Sequence, residues 1–503
     1  MKHQRWLVFV GLFLLLLYVY RGPLADVLVY HEQHHLFLYT PGYFHHALAA
    51  DGLASYLTDF LIQFFYHPLL GAALMALLLS LVYGLSEYLL ALLFGRQAPL
   101  HPGIIPALLL LLHTETTTHT LVPVTTTVIA LTAACLVALL LRRLTPWLPL
   151  IKKEFHCRRK VRILISAASL ALYLIGGYTL FLRHYNPKEG ILLKTEHYAQ
   201  RGAWSQVLDY TGRYLMTGKS NQFISYFHNM ALYHLGQLPY HQFDYPQALG
   251  VKSIYFPWES NSRESEYGHY LYEQLGLLNE AHRWEFEAMV AWGETAPHLT
   301  NLARYNIAIG RPAIARMYIN KLRQSLFYRS LADSLDAIRY RGRVPGLHHA
   351  MRGVTDHPAR FTNVRNIGPE LENILRHDPK NRMAFEYLMS QLLLSNHLVR
   401  FAENLPRIRQ FGHSTLPPVY EEALLVYKTG VSEADFARCG FAVSPATEAR
   451  FAQYVSLMKQ GDMQALQARF GNTYWFYLHY ISPYGNKVIN DRPSETAKGV
   501  TQL

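Results

Sequence analysis

The chain has 503 residues, room for roughly two to four domains, with 50% hydrophobic and only 16% charged residues. Its balance of 47 Lys/Arg against 35 Asp/Glu gives a net charge of +12. Much of that excess lies in one stretch, where Arg142, Arg143, Lys152, Lys153, Arg158, Arg159, Lys160 and Arg162 are opposed only by Glu154. The stretch falls between two apolar runs, where basic residues are retained on the cytoplasmic side of a membrane, so the charge points to a bilayer and away from nucleic acid. Cys135, Cys157 and Cys439 are too scattered for a disulfide framework or a zinc knuckle.

Charge is unevenly distributed. Residues 1–182 hold 12 Lys/Arg and 7 Asp/Glu, leaving 35 and 28 for residues 183–503. Five apolar runs stand out in the first part, at 6–20, 69–94, 99–112, 121–141 and 163–182. A hydrocarbon core of about 30 Å takes ~20 helical residues, a length that the second, fourth and fifth runs meet. The first is shorter and follows Lys2 and Arg5. The bulky Tyr18-Val19-Tyr20-Arg21 after it does not suit signal-peptide cleavage, so it is expected to remain as an anchor. Residues 53–66 place Leu53, Tyr56, Leu57, Phe60, Leu61, Phe64 and Phe65 at helical spacing, which predicts an amphipathic helix lying at the interface.

Positive residues orient the expected spans. Lys2 and Arg5 set the N-terminus inside, and 22–68 contains no Lys or Arg. Five crossings then return the basic stretch to the inside and export everything after Arg183. Glu87, within the second span, lies near its cytoplasmic end, where snorkelling accounts for it as well as function does.

From about residue 190 to 503 the sequence suggests helix–turn–helix pairs. Gly276 and Gly310 are 34 residues apart, each with an Ala five positions on (Ala281, Ala315), and Asn396 and Gly430 repeat that interval before Gly461. In "LRHDPKNRMAFEYLM", Leu375, Asp378, Pro379, Asn381, Ala384 and Leu388 resemble the junction between tetratricopeptide repeats: Asp-Pro ends one helix, Asn caps the next, and Ala permits close approach. Tyr272, Ala288, Trp204 and Leu208 extend the resemblance, which implies an α-solenoid with a concave binding surface. The expected fold is all-α: a multi-pass transmembrane helical domain (1–183) followed by an exported tetratricopeptide-like α-solenoid (190–503).

One chemical motif asks for a test. His31-Glu32-x-x-His35 spells the zinc-protease signature, in which two His on one helical face hold the metal and Glu activates its water. Twenty-six histidines make chance occurrence easy, and no third ligand follows in any recognisable pattern; His45, His46 and Asp51 are near only in sequence. The loop "HTETTTHT", with His113, Glu115 and His119, is expected on the same outer face, where imidazoles and carboxylates would bind a metal or titrate near neutral pH. His31, Glu32, His35, His113 and His119 are thus weak metal candidates, and the simpler expectation is a solvated histidine cluster with no metal and no cofactor. His348-His349 and Asp356-His357 are expected to be exposed loop residues. No Gly-rich phosphate loop, Gly-x-Ser-x-Gly elbow or Cys/His catalytic pair is present.

A wider likeness covers the first part. "EQHHLFLYTPGYF" followed by "GLASYLTDFLIQFFYHPLLGA" resembles an uncharacterised bacterial family of multi-pass membrane proteins with helical-repeat tails. Glu32-Gln33, Leu36-Phe37-Leu38, Tyr43-Phe44, Gly52-Leu53, Tyr56-Leu57, Phe60-Leu61, Gln63-Phe64-Phe65, Pro68 and Gly71 carry the match, while His31, His34 and His35 fall outside it. The resemblance implies architecture and no activity. Glu32 is expected to pair with Arg21 or cap a helix. Together these features lead to an expected anchored scaffold of the bacterial inner membrane, N-terminus cytoplasmic, whose periplasmic tail binds a protein partner. The alternatives are a membrane enzyme on a lipid-linked substrate, with Asp26, Glu32 or Asp51 as base, and, third, a zinc protease.

Overall fold

The computed structural model describes residues 2–94, 99–144, 159–257, 263–347, 366–412 and 415–485, and among them the regular structure is helical, with no strand. Arg96, the segment 145–158 with Cys157, Lys152, Lys153 and Arg158, and His348, His349, Asp356 and His357 lie outside the described residues. The chain divides into two compact units. The first comprises 1–193 with 294–303 and 316–337; the second comprises 194–293, 304–315 and 338–503.

The first unit begins with α1 (Lys2–Arg21), α2 (Ala25–His34), α3 (Pro41–Ala50) and α4 (Gly52–Ile62), followed by α5 (Pro68–Phe94), α6 (Ile104–His113), α7 (Val122–Leu144) and α8 (Arg159–His184). Helices α1, α5, α7 and α8 are long and apolar enough to cross a membrane. The third apolar run, already short of a span in the sequence, is shorter still as a helix: α6 has only ten residues, roughly 15 Å. Its ends explain its length. At its start the Gly103 N–H donates to Glu87 Oε1 of α5 (2.9 Å), and Glu87 also pairs with Arg5 of α1 (3.5 Å). At its finish Thr114 Oγ1 donates to the Leu110 carbonyl, so the Tyr20 hydroxyl of α1 donates to Thr114 (2.6 Å). α6 therefore reaches from the Arg5 end of α1 to its Tyr20 end, and the two run parallel. His101, bonded to both Tyr83 and Ser166, ties α5 and α8 in beside the start of α6.

These polar links matter because apolar helices gain little from meeting one another in an apolar solvent; close packing and interhelical hydrogen bonds supply the specificity. Gly103 permits the closest of these approaches, since a Cβ there would meet the Tyr83 carbonyl at 2.9 Å. Glu87 does not snorkel: it is 3% exposed and fully engaged between Arg5 and Gly103. The amphipathic stretch 53–66 becomes α4 and a closing 3-10 turn (Gln63–Tyr66), with Thr58 bonded to Thr125 at the start of α7.

The second unit is built from packed helix pairs, among them Trp204–Leu215 with Gln222–His234, Gly268–Gln274 with Leu278–Trp292, Gly368–His377 with Arg382–Leu394, and Pro445–Gln460 with Met463–Phe470. Gly276 and Gly461 turn two of these connections, and Asn396 turns the one from Arg382–Leu394 to Leu398–Asn404, with φ of +79°, +73° and +62°. That left-handed backbone costs Gly nothing and Asn little. Gly430, by contrast, is the last residue of the helix Pro418–Gly430 and makes no such turn. Asn381 caps Arg382–Leu394 by accepting from the Ala384 N–H (2.9 Å), and Leu375, Ala384 and Leu388 are buried.

Candidate functional site

Helix α2 carries the His31-Glu32 pair, and both side chains are buried. The helix ends at His34, so His35 falls in extended backbone instead of completing a helical face with His31. The Nδ1–H of His34 and of His35 donate to the Tyr30 and His31 carbonyls, satisfying the helix end. Burial drives the His31 pKa down to about 3, with His35 and His34 adding to the effect, so its ring is neutral. Neither of its ring nitrogens has a hydrogen-bond partner.

Glu32 is held by a residue 296 positions away. The Tyr328 hydroxyl donates to Glu32 Oε1 at 2.5 Å, in place of the expected Arg21 pairing or helix cap. Tyr328 belongs to a segment of the first unit that seats against α2 and the turn before α5. There the Phe327 ring stacks on Tyr66 (5.2 Å, 9°) and meets Phe64 and His67 edge-on, while the Tyr39 N–H donates to the Gln324 carbonyl. Burial raises the Glu32 pKa to about 7 against the opposing Tyr328 bond, and burial followed by the charge of Glu32 pushes Tyr328 upward. With His35 off the helix and the Glu32 carboxyl taken by a tyrosine, the motif does not form the helical His-Glu-x-x-His geometry of a zinc-protease site.

The hairpin tip is a second cluster. His113 and His119 stack at 4.6 Å, and each reaches a backbone carbonyl, of Thr120 and of His113. Glu189 Oε1 accepts from the Thr116 hydroxyl and from both the N–H and hydroxyl of Thr117, so the threonines fasten the turn to the residues following α8. Glu115 is buried with Oε2 unpartnered; burial first, then Glu189, raises its pKa to about 7. His45, His46 and Asp51 are exposed. Among the described residues no three His, Cys, Asp or Glu side chains converge to hold a metal ion. Cys135 donates weakly to the Leu85 carbonyl and Cys439 is buried.

A third cluster, in the second unit, escaped sequence reasoning. Tyr305 donates to Glu273 Oε2 (2.6 Å) and is bonded to His269 Nδ1 (2.9 Å), while His269 Nε2 lies 3.2 Å from Glu285 and Arg304 sits 3.7 Å from Glu273. The single tyrosyl proton goes to Glu273, so His269 Nδ1–H must donate to Tyr305. With Nδ1 donating, the contact between Nε2 and Glu285 needs one more proton, carried by one of the two groups. The network joins three helices within the core and is closed to solvent, with Tyr305 fully buried. The sequence offered only scattered polar residues spaced like core positions.

The comparisons with known proteins give a family and add no chemistry. No curated protein matches the chain. No solved structure matches it. The chain does match, over residues 2–184 and 144–481, the family described as "Family of unknown function (DUF6057)". With the match running through both compact units, the chain belongs to the DUF6057 family.

Proposed function

We propose that this protein is a membrane-anchored scaffold whose tetratricopeptide-like part, exported to the periplasm of a bacterium, binds another protein. Anchoring follows from α1, α5, α7 and α8, and the basic stretch after α7 sets the N-terminus inside. Short as it is, α6 runs from the Arg5 end of α1 to its Tyr20 end, which supports an odd number of crossings and a tail outside.

The observation carrying the binding role is an apolar stripe on Leu278–Trp292. One face of this helix is core, with Leu278, Ala281, Trp284 and Ala288 buried; the other presents Phe286 (41% exposed) and Val290 (65%) one turn apart. Exposed apolar residues at helical spacing mark a surface that gains by being covered. A photo-crosslinker at Val290 in the full chain, in cells, is expected to capture a discrete partner, and Phe286→Asp with Val290→Asp to abolish capture without loss of helicity. Unchanged capture by the double variant would refute the assignment of this face.

A membrane enzyme is the second reading, favoured by Glu32 alone: a pKa near 7 suits a general acid or base. Its test is whether Glu32→Gln leaves cellular function intact while Phe286→Asp with Val290→Asp removes it; the reverse pattern favours the enzyme.

A further inference from the structure

The helix Arg329–Ile338 buries Ala332 and Leu335 and leaves Arg329, Ser330, Asp333 and Ser334 exposed, positions i, i+1, i+4 and i+5 that share one helical face. That face, the Tyr66-His67 turn before α5 and Phe327 line an open cleft of about 720 Å³ within the first unit. Charge in the cleft is unequally engaged. Asp333 is bonded to Arg323 (2.8 Å), which also holds Asp336 (3.1 Å). Arg329 has no carboxylate or hydrogen-bond partner among the described residues, and no hydrogen bond there takes up the Tyr66 hydroxyl or the His67 ring nitrogens. Residues 22–68 contain no Lys or Arg, so the cation beside Tyr66 comes from a segment far along the chain. Just beyond His67 the side chains change character: Leu69 and Leu70 at the start of α5 are exposed, as is Leu326 of the cleft.

We propose that this cleft binds the phosphate of a phospholipid, held by Arg329 with the Tyr66 hydroxyl and the His67 ring beside it, while the acyl chains run along Leu69 and Leu70. The inference rests on the reading that α5 crosses a bilayer with its Pro68 end outside. Tyr66 and Phe327 then lie at the level where aromatic rings gather, between the hydrocarbon and the headgroups. A guanidinium at that level meets the phosphate layer, and its planar fork matches phosphate with two parallel hydrogen bonds. A soluble phosphate would satisfy Arg329 but leave Leu326, Leu69 and Leu70 in water; a lipid covers both. The volume lies within the range of ligand sites.

The test titrates full-length protein in detergent with dioleoylphosphatidylglycerol, with dioleoylglycerol, which lacks the phosphate, and with glycerol phosphate, which lacks the chains, counting bound ligand by native mass spectrometry. Wild type is expected to hold the phospholipid at least about fivefold more tightly than dioleoylglycerol, the ratio that one cation at a membrane surface supplies, and glycerol phosphate should fail to displace it. Arg329→Gln, at an exposed position, should bring the phospholipid down to the dioleoylglycerol level. Arg316→Gln removes an exposed cation outside the cleft and should change neither. Equal binding of the two lipids by wild type, undiminished binding by Arg329→Gln, an equal loss in Arg316→Gln, or displacement by glycerol phosphate at matching concentration overturns the proposal. Recovery of wild type in the soluble fraction without detergent would instead overturn the membrane reading beneath it.

Discussion

Helix α8 and the helix Arg382–Leu394 are both rich in apolar residues and bury them to opposite extents. The most apolar 18-residue window of α8 has a mean hydropathy of 1.8, yet only 11% of it is buried within the protein. In Arg382–Leu394 every residue from Met383 to Leu394 is buried, polar ones included: Glu386 pairs with Arg382, and Gln391 bonds Ser395. A helix apolar on all sides and covered by nothing requires another solvent. One that buries a carboxylate and an amide, each bonded through one of its polar atoms, is covered by protein. The two units thus solve the same problem, satisfying the backbone and hiding apolar surface, with different surroundings.

The comparison breaks most sharply on deleting a large side chain from each. Trp475 is fully buried in the second unit and its indole N–H donates to the Glu422 carbonyl (3.0 Å). Trp475→Ala should cost about 3–5 kcal/mol, read as loss of thermal stability of that unit. Leu172, 69% exposed on α8, should change stability by less than ~0.5 kcal/mol when made Ala. Comparable losses for both would mean that α8 is covered by protein.

Next in size is a pH effect that Glu32 brings to the first unit. Glu32 has its pKa raised from the ordinary carboxylate value to about 7 by burial. The folded state therefore binds the proton more tightly than the unfolded one. The resulting stabilisation is complete below the unfolded carboxylate value of about 4.5 and is lost as pH rises through about 7, amounting to roughly 3 kcal/mol at most. Hydrogen-exchange protection of 324–329, corrected for intrinsic rates, should fall between pH 5 and pH 8, and Glu32→Gln should flatten the dependence. Rising protection over that interval would contradict the burial of Glu32.

How much of this was legible in the sequence follows from the range of each interaction. The long apolar runs and the Asn381 cap are local, and the sequence announced them. So were the turns at Gly276, Asn396 and Gly461, which depend on the backbone of one residue. That the run 99–112 falls short of a span was legible too; where within it α6 would start and stop was not, because its ends are set by Glu87 and Tyr20, residues contributed by other helices. The fate of Glu32 was hidden for the same reason: its partner Tyr328 comes from a segment that packs in the first unit although it lies far along the chain. The motif His31-Glu32-x-x-His35 could be spelled, but where helix α2 would stop could not.

A small effect is expected at the bond that closes α6. Tyr20→Phe removes the hydroxyl donated to Thr114 and should lower stability in detergent by only about 0.6 kcal/mol, the usual size of an interhelical bond in a bilayer. A loss of several kcal/mol would place this contact in a soluble-type core.

The central claim is that the helices of the first unit cross a bilayer and that the tail lies outside. Paired reporter fusions, one after Lys153 and one after Arg183, test it most directly. The account predicts that the Arg183 fusion is active only outside the cytoplasm and the Lys153 fusion only inside; both active on one side, or swapped activities, would contradict it.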